Sequence, residues 1–280
     1  MKKILLPTDF SENSWNAITY ALRLFEKEEC TFYILNTYTP AIFHIDYVAV
    51  TTAQFGLVDA MRKASEESLD TLMTKINNQF NNPNHTFSTI SSFNTLALEL
   101  EELQKGKLMD MIIMGTKGAT GAKEILFGTN TVHTLKNAKC PVLAIPSDFE
   151  FESPIEILFP SDYKIDYKDN HIQPILDIAD QYHARVNILN VRYGNELTEL
   201  QVQNKQKLET YFKKIAHLFH DVHNQNIPEA ITKFQMKAKI NLLVMINNKH
   251  SFFENLFFKS TINHIGFHLN IPFLVIPSKK

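Results

Sequence analysis

The feature that most restricts this chain is a repeat. Asp110 to Pro146 lies over Asn241 to Pro277 without a gap, 131 residues further on. The two stretches close on Cys140-Pro141-Val142-Leu143-Ala144-Ile145-Pro146 and on Ile271-Pro272-Phe273-Leu274-Val275-Ile276-Pro277. Upstream, Ile4-Leu5-Leu6-Pro7-Thr8-Asp9-Phe10 recurs as Ile157-Leu158-Phe159-Pro160-Ser161-Asp162-Tyr163, and Tyr33-Ile34-Leu35-Asn36-Thr37 as Asn187-Ile188-Leu189-Asn190-Val191. Self-similarity on this scale means one folding unit used twice, and 280 residues suit two domains of about 140 each. The boundary falls near 147–154, where acidic residues and a proline part the copies, giving domains at 1–148 and 153–280. The first copy is about 22 residues longer, the surplus lying largely in the irregular, rather apolar segment 38–57.

Within each copy, short apolar runs alternate with helical periodicity. Lys3 to Thr8 reads as a strand. Ser11 is a natural N-cap, and Trp15, Ile18, Leu22 and Phe25 then recur at helical spacing. Strands follow at 31–37 and 85–91, helices at 58–80 and 95–105, then a strand ending at Gly115, a helix over about 129–138, and a last strand led by Pro141. Strands alternating with helices predict an α/β chain of two tandem doubly wound domains, each with a five-stranded parallel sheet. The proline-led last strands belong at sheet edges, and exposed edges invite pairing. The two copies can pair with each other as an internal pseudo-dimer. Whether two whole chains also associate is left open.

In parallel sheets ligands sit at the carboxyl ends of the strands, where strand order reverses. Asp9, Thr37 and Gly115 should meet there. Eight glycines occur in the chain, and Gly115, Gly118, Gly121 and Gly128 fall between residues 115 and 128. Glycine allows positive φ and close approach to the backbone. Gly128-Thr129-Asn130 opens a helix, whose start offers free N–H groups and partial positive charge. These features fit a phosphate seat and fit a plain turn equally well. The spacing is neither that of a P-loop nor G-x-G-x-x-G. The second copy has Ile246, Lys249, Phe252 and Lys259 where the first has these four glycines, although Asp162 and the hydroxyls of Ser260-Thr261 remain. Its site should be closed, with Phe252, Phe253, Phe257 and Phe258 packed locally.

Gly115, Gly118, Gly128 and Thr129 match the G-x2-G-x9-G-(S/T) pattern of the universal stress protein (UspA-like) family, and the chain resembles a tandem member of it along nearly its whole length. The resemblance implies a Rossmann-like, adenine nucleotide alpha hydrolase-like fold and a stress-response protein that binds an adenine nucleotide, ATP foremost and with Mg where a triphosphate is bound, in the first domain. It implies that Thr8, Asp9 and Thr37 lie near base and ribose, that Met114, Gly115 and Gly118 pass close to the sugar and phosphates, and that Gly128, Thr129 and Asn130 hold the phosphates. It also implies edge-strand pairing between subunits. Asn94 stands where members often have glycine, and Asn130 replaces a usual small residue.

A net charge of −2 gives no electrostatic footprint for nucleic acid, and no apolar run reaches the ~18 residues of a membrane span. Two cysteines in different predicted elements suggest a reducing cytoplasm rather than a disulfide framework. No set of base, nucleophile and metal ligands stands out, which favours binding over catalysis. Lys117 and Lys123 read as solvated loop residues. His217, His220, Asp221 and His223 would suggest metal on a helix. The repeat aligns them with a strand instead, where His220 faces away from the others.

Overall fold

The computed structural model describes residues 1–39, 52–106, 109–116, 127–192, 194, 196–248 and 270–278, with side chains of the second helix from 56 onward. The chain divides into two compact units, Met1–Cys140 and Pro141–Lys280.

The first unit contains β1 (Lys2–Pro7), α1 (Glu12–Leu24), β2 (Cys30–Thr37), α2 (Thr52–Gln79), β3 (His85–Ser92), α3 (Leu96–Lys105), β4 (Met111–Gly115) and α4 (Thr129–Asn137). The strands lie in the order β3-β2-β1-β4, all parallel. The chain moves outward from β1 to β3 and then returns to the other side of β1. The order therefore reverses between β1 and β4, and their carboxyl ends mark the crevice. Ile4, Leu5 and Leu6 are buried in β1, as a strand covered on both faces requires.

Ser11 caps α1, its hydroxyl accepting from the Ser14 N–H at 3.2 Å. Ala17, Ile18, Ala21, Leu22 and Leu24 form the buried face of this helix. Trp15, predicted on the same stripe, is only half-buried: the Lys75 ammonium sits 3.9 Å from its ring centre and Phe80 meets it edge-on at 6.4 Å. Phe25 is buried just past the last turn. Helix α2 begins at Thr52, earlier than the predicted 58. Gly56, a weak helix former, lies inside it, with nothing within 4 Å of where a side chain would be.

The second unit contains β5 (Val142–Ile145), β6 (Glu156–Pro160), α5 (Asp169–Tyr182), β7 (Arg185–Arg192), α6 (Glu199–Phe212), β8 (His217–His223), α7 (Ile227–Ala238), β9 (Leu242–Asn247) and β10 (Phe273–Pro277). Strands β8, β7, β6, β9 and β10 repeat the parallel order of a doubly wound sheet. Strand β5, which ends the first sequence copy, pairs antiparallel with β10, which ends the second: Ala144 lies opposite Phe273 and Val142 opposite Val275. The two proline-led strands thus meet as the repeat predicts, and both lie in the second compact unit.

Cys30 and Cys140 are free and buried. Burial pushes both thiols up from 9.0 to about 12, with a lesser push from Glu28 on Cys30 and from Asp110 on Cys140. Both are thiols, not thiolates, at neutral pH and are poor nucleophiles. Ellman's reagent should therefore leave the native protein unlabelled at pH 8 and titrate two thiols once guanidinium is added. In the unfolded chain the thiols ionise above their ordinary value, while the folded chain keeps its protons until about 12. Their contribution to stability is thus complete below pH 9 and is lost as pH rises toward 12.

Candidate nucleotide crevice

The carboxyl end of β1 runs into a tight turn held by its own polar groups. The Thr8 N–H donates to the Leu35 carbonyl at 2.8 Å, and the Thr8 hydroxyl accepts from the Phe10 N–H at 3.0 Å while sharing a hydrogen bond with Ser14. Phe10 takes a φ of 62°, unusual for a bulky residue. One Asp9 carboxylate oxygen accepts from the Ser11 N–H at 3.1 Å and from the Ser11 hydroxyl. Asp9 is exposed at the crevice, and its carboxylate also shapes the turn.

The second unit makes the same turn. Ser161 donates its N–H to Leu189 at 2.8 Å, Tyr163 donates its N–H to the Ser161 hydroxyl at 3.0 Å with φ 57°, and Lys164 donates its N–H to Asp162 at 3.1 Å. The recurrence of aspartate as Asp162 therefore has a backbone cause.

At the end of β2, the buried Asn36 donates its side-chain N–H to the Thr8 carbonyl at 2.8 Å. Its oxygen accepts from Ser65 on α2 at 2.8 Å, and the Ser65 hydroxyl in turn accepts from Ser91 on β3 at 2.9 Å. Thr37, half-buried, follows Asn36 and lies opposite Ser92. Asn94 and Ser92 both donate to Glu99, at 3.2 and 2.6 Å. Asn36 and Ser65 were not singled out as site residues. The signal for Asn36 was an asparagine inside the apolar run Tyr33 to Thr37, repeated as Asn190.

Met114 is buried at the end of β4. A Cβ on Gly115 would lie 2.4 to 2.8 Å from the side-chain atoms of Asn13 on α1. Gly115 is not among the positive-φ residues, and Gly128 has φ −62°. Gly115 makes room for the Asn13 side chain, and neither glycine takes a left-handed backbone. The Gly128 N–H donates to the Thr116 carbonyl at 2.7 Å, and the Thr131 hydroxyl to the Gly115 carbonyl at 2.9 Å. Together these bonds bind the start of α4 to the end of β4. Gly128 is the N-cap and no side chain caps the helix. Thr129 and Asn130 are exposed in its first turn. Gly118, Gly121, Lys117 and Lys123 lie outside the described residues, as do Lys249, Phe252, Phe253, Phe257, Phe258, Lys259, Ser260 and Thr261.

In the second unit, helix α6 covers the corresponding turn. Gln201 donates to the Asp162 carbonyl and Asn204 to the Tyr163 carbonyl, each at 2.8 Å. The Tyr163 side chain is fully buried, whereas Phe10 is 39% exposed. The Lys205 ammonium lies 5.2 Å from the Phe219 ring centre and 3.6 Å from Asp221, which also pairs with Arg192 at 3.2 Å. Asn190 keeps its bond to the Ser161 carbonyl at 2.7 Å, but its own oxygen is buried with no hydrogen-bond partner among the described residues. Ile246 is buried where the first copy has Gly115. The histidines lie on β8, as the repeat predicts. His220 bonds Asn187 at 3.0 Å and packs on Phe234, and burial lowers its pKa. Among the described residues no group of His, Cys, Asp and Glu side chains could hold a metal ion, and no helix is long and apolar enough to cross a membrane.

Residues 1–146 match the model of the universal stress protein family. Universal stress protein MJ0531 of Methanocaldococcus jannaschii is 28% identical over 148 residues, covering 51% of this chain and 81% of that protein. Universal stress protein MJ0577 of the same organism is 27% identical over 154 residues, covering 51% of this chain and 94% of that protein. Among solved structures, a universal stress protein from Archaeoglobus fulgidus superposes with a TM-score of 0.71 at 17% identity, covering 99% of this chain and 98% of that one. The Archaeoglobus likeness shows that the fold extends through both copies.

Proposed function

The chain belongs to the universal stress protein family, and from that membership we propose that its first domain, 1–148, binds an adenine nucleotide, ATP foremost, while the second, 153–280, is a non-binding copy. The observation that carries this reading is the junction of β4 and α4. Gly115 leaves room for the Asn13 side chain, Gly128 brings no side chain to the helix start, two hydrogen bonds fix the strand end to that start, and the first turn has no side-chain cap. Uncapped N–H groups with the Thr129 hydroxyl and the Asn130 amide beside them suit phosphate oxygens. Thr8, Asp9, Thr37 and Met114 then border the nucleoside, and Gly118 follows the phosphates. No cluster of metal ligands forms among the described residues, so Mg would arrive coordinated to the triphosphate. The protein acts in the cytoplasm as a binder and not as an ATPase: Asp9, the aspartate at the crevice, serves the turn through its bond to Ser11.

Isothermal titration with ATP tests this. Wild type should bind, and Gly128→Lys, which copies Lys259, should bind at least tenfold more weakly without loss of fold. Equal affinities, or no binding by wild type, would refute it. One observation favours a second reading, a scaffold without nucleotide: Asn13 already occupies the space above Gly115, so that glycine has a packing role of its own. Native mass spectrometry of freshly purified protein separates the two, since a scaffold would carry no nucleotide mass.

A further inference from the structure

The second unit is non-binding toward nucleotide on the reading above, yet it gathers polar groups that no described residue pairs. Among its described residues, the buried side-chain nitrogen and oxygen atoms without a hydrogen-bond partner are the Tyr163 hydroxyl, Asn190 Oδ1 and Arg192 Nε. Tyr163 and Asn190 are 0% and 1% exposed. The three residues come together. Asn190 and Arg192 stand two apart on β7 and share a face of the sheet. Asp221 lies opposite Asn190 on β8 and binds Arg192 Nη2 at 3.2 Å. Phe219, on the same face of β8, meets the Tyr163 ring at 6.4 Å. Helix α6 covers them: Asn204 holds the Tyr163 carbonyl, and the Lys205 ammonium lies 5.8 Å from the Tyr163 ring centre and 3.6 Å from Asp221. In the first unit the counterpart of Asn190 in the repeat, Asn36, accepts from Ser65 through the same oxygen.

Buried polar atoms need partners, and these atoms define what the partner must be. Asn190 Nδ2 donates to the Ser161 carbonyl at 2.7 Å, so the atom left over is an acceptor. Arg192 Nε carries a hydrogen and can only donate, whereas the Tyr163 hydroxyl does either. Arg192 and Lys205, two cations, both pair with the Asp221 carboxylate, an excess of one positive charge in that group. An anion with oxygens to accept and one proton to give meets all of this. We propose that the second unit binds inorganic phosphate between β7, β8 and α6, its P–OH donating to Asn190 Oδ1 and its other oxygens accepting from Arg192 Nε, the Tyr163 hydroxyl and the Lys205 ammonium. The three unpaired atoms are closed to solvent, so entry requires the Lys205 side chain, 29% exposed, to lift off Asp221 and close over the anion. Asp221 stays with Arg192 through Nη2 and opposes the anion. Phosphate keeps a P–OH at neutral pH and sulfate has none, while a phosphate monoester loses its last proton at about pH 6.

Calorimetric titration of the whole chain above neutral pH and at constant ionic strength tests this, with the Arg192 Nε–H resonance followed by NMR. Inorganic phosphate should bind and shift that resonance to saturation. Sulfate and glycerol phosphate should bind at least tenfold more weakly, and glycerol phosphate should recover below pH 6, where it regains its proton. Tyr163→Phe removes a hydroxyl that no described residue pairs, so the fold should stay while phosphate affinity falls at least threefold. Sulfate or glycerol phosphate binding as tightly as phosphate in the first titration would reveal an adventitious anion only and overturns the site. So do a wild type indifferent to phosphate, a stationary Arg192 resonance, and a folded Tyr163→Phe that binds phosphate as wild type does. Should Tyr163→Phe not fold, the ratio of phosphate to sulfate affinity in the unaltered chain decides. None of these outcomes touches the nucleotide reading, which concerns the other unit.

Discussion

Gly115→Ile should abolish measurable ATP binding, with affinity down at least a hundredfold, while the protein stays folded. The variant installs the residue that the second copy carries at Ile246. Its Cβ would start 2.4 Å from the Asn13 amide nitrogen, closer than non-bonded atoms can remain. The Asn13 amide is the end of a short side chain and can swing away, so the stability cost should stay at about 1–3 kcal/mol, as for other overpacked sites. Affinity has no such escape, because a β-branched side chain would stand where the strand end meets the open start of α4. Gly115→Ala should fall between wild type and the isoleucine variant on both scales. Titration calorimetry with urea unfolding of the same samples separates the two effects. Unchanged ATP affinity in Gly115→Ile would place the ligand elsewhere.

Asn36→Leu should cost about 2–4 kcal/mol, and Asn190→Leu clearly less. The two asparagines look interchangeable in sequence, and both tie the end of one strand to its neighbour through a carbonyl. Asn36 makes a second bond with Ser65, whereas the Asn190 oxygen has no hydrogen-bond partner among the described residues. Removing Asn36 strands the Thr8 carbonyl and takes from Ser65 its acceptor, and each buried polar group left without a partner costs about 1–3 kcal/mol. Removing Asn190 strands one carbonyl but relieves one orphaned oxygen. Urea midpoints of the two variants, fitted with a common slope, measure the difference. Equal losses would mean that the Ser65 bond contributes nothing.

Much of the fold was legible because it is written in periodicity and written twice. The strands around Ile4, Ile34, Ile112 and Leu143 are short apolar runs with helices between them, and the repeat predicts β6 to β10 from β1 to β5. Helix α2 starts inside segment 38–57, which reads as irregular in the sequence. The site was legible only in outline. Gly115 was picked out by its neighbours in sequence, but the reason it must be glycine comes from Asn13, on another element. The Asn36–Ser65–Ser91 chain joins three elements that no local pattern relates. Asp9 shows the opposite case: the family pattern marks it as a ligand residue, and its visible bond is to the turn.

The lone indole of the chain, Trp15, has a practical consequence. It lies in the first unit, beneath the Lys75 ammonium and against Phe80, and the other half contains none. Intrinsic fluorescence excited at the red edge therefore reports on one half of the molecule alone. A melting curve followed by that emission is the curve of the first unit, and circular dichroism must be recorded beside it to see the silent half unfold.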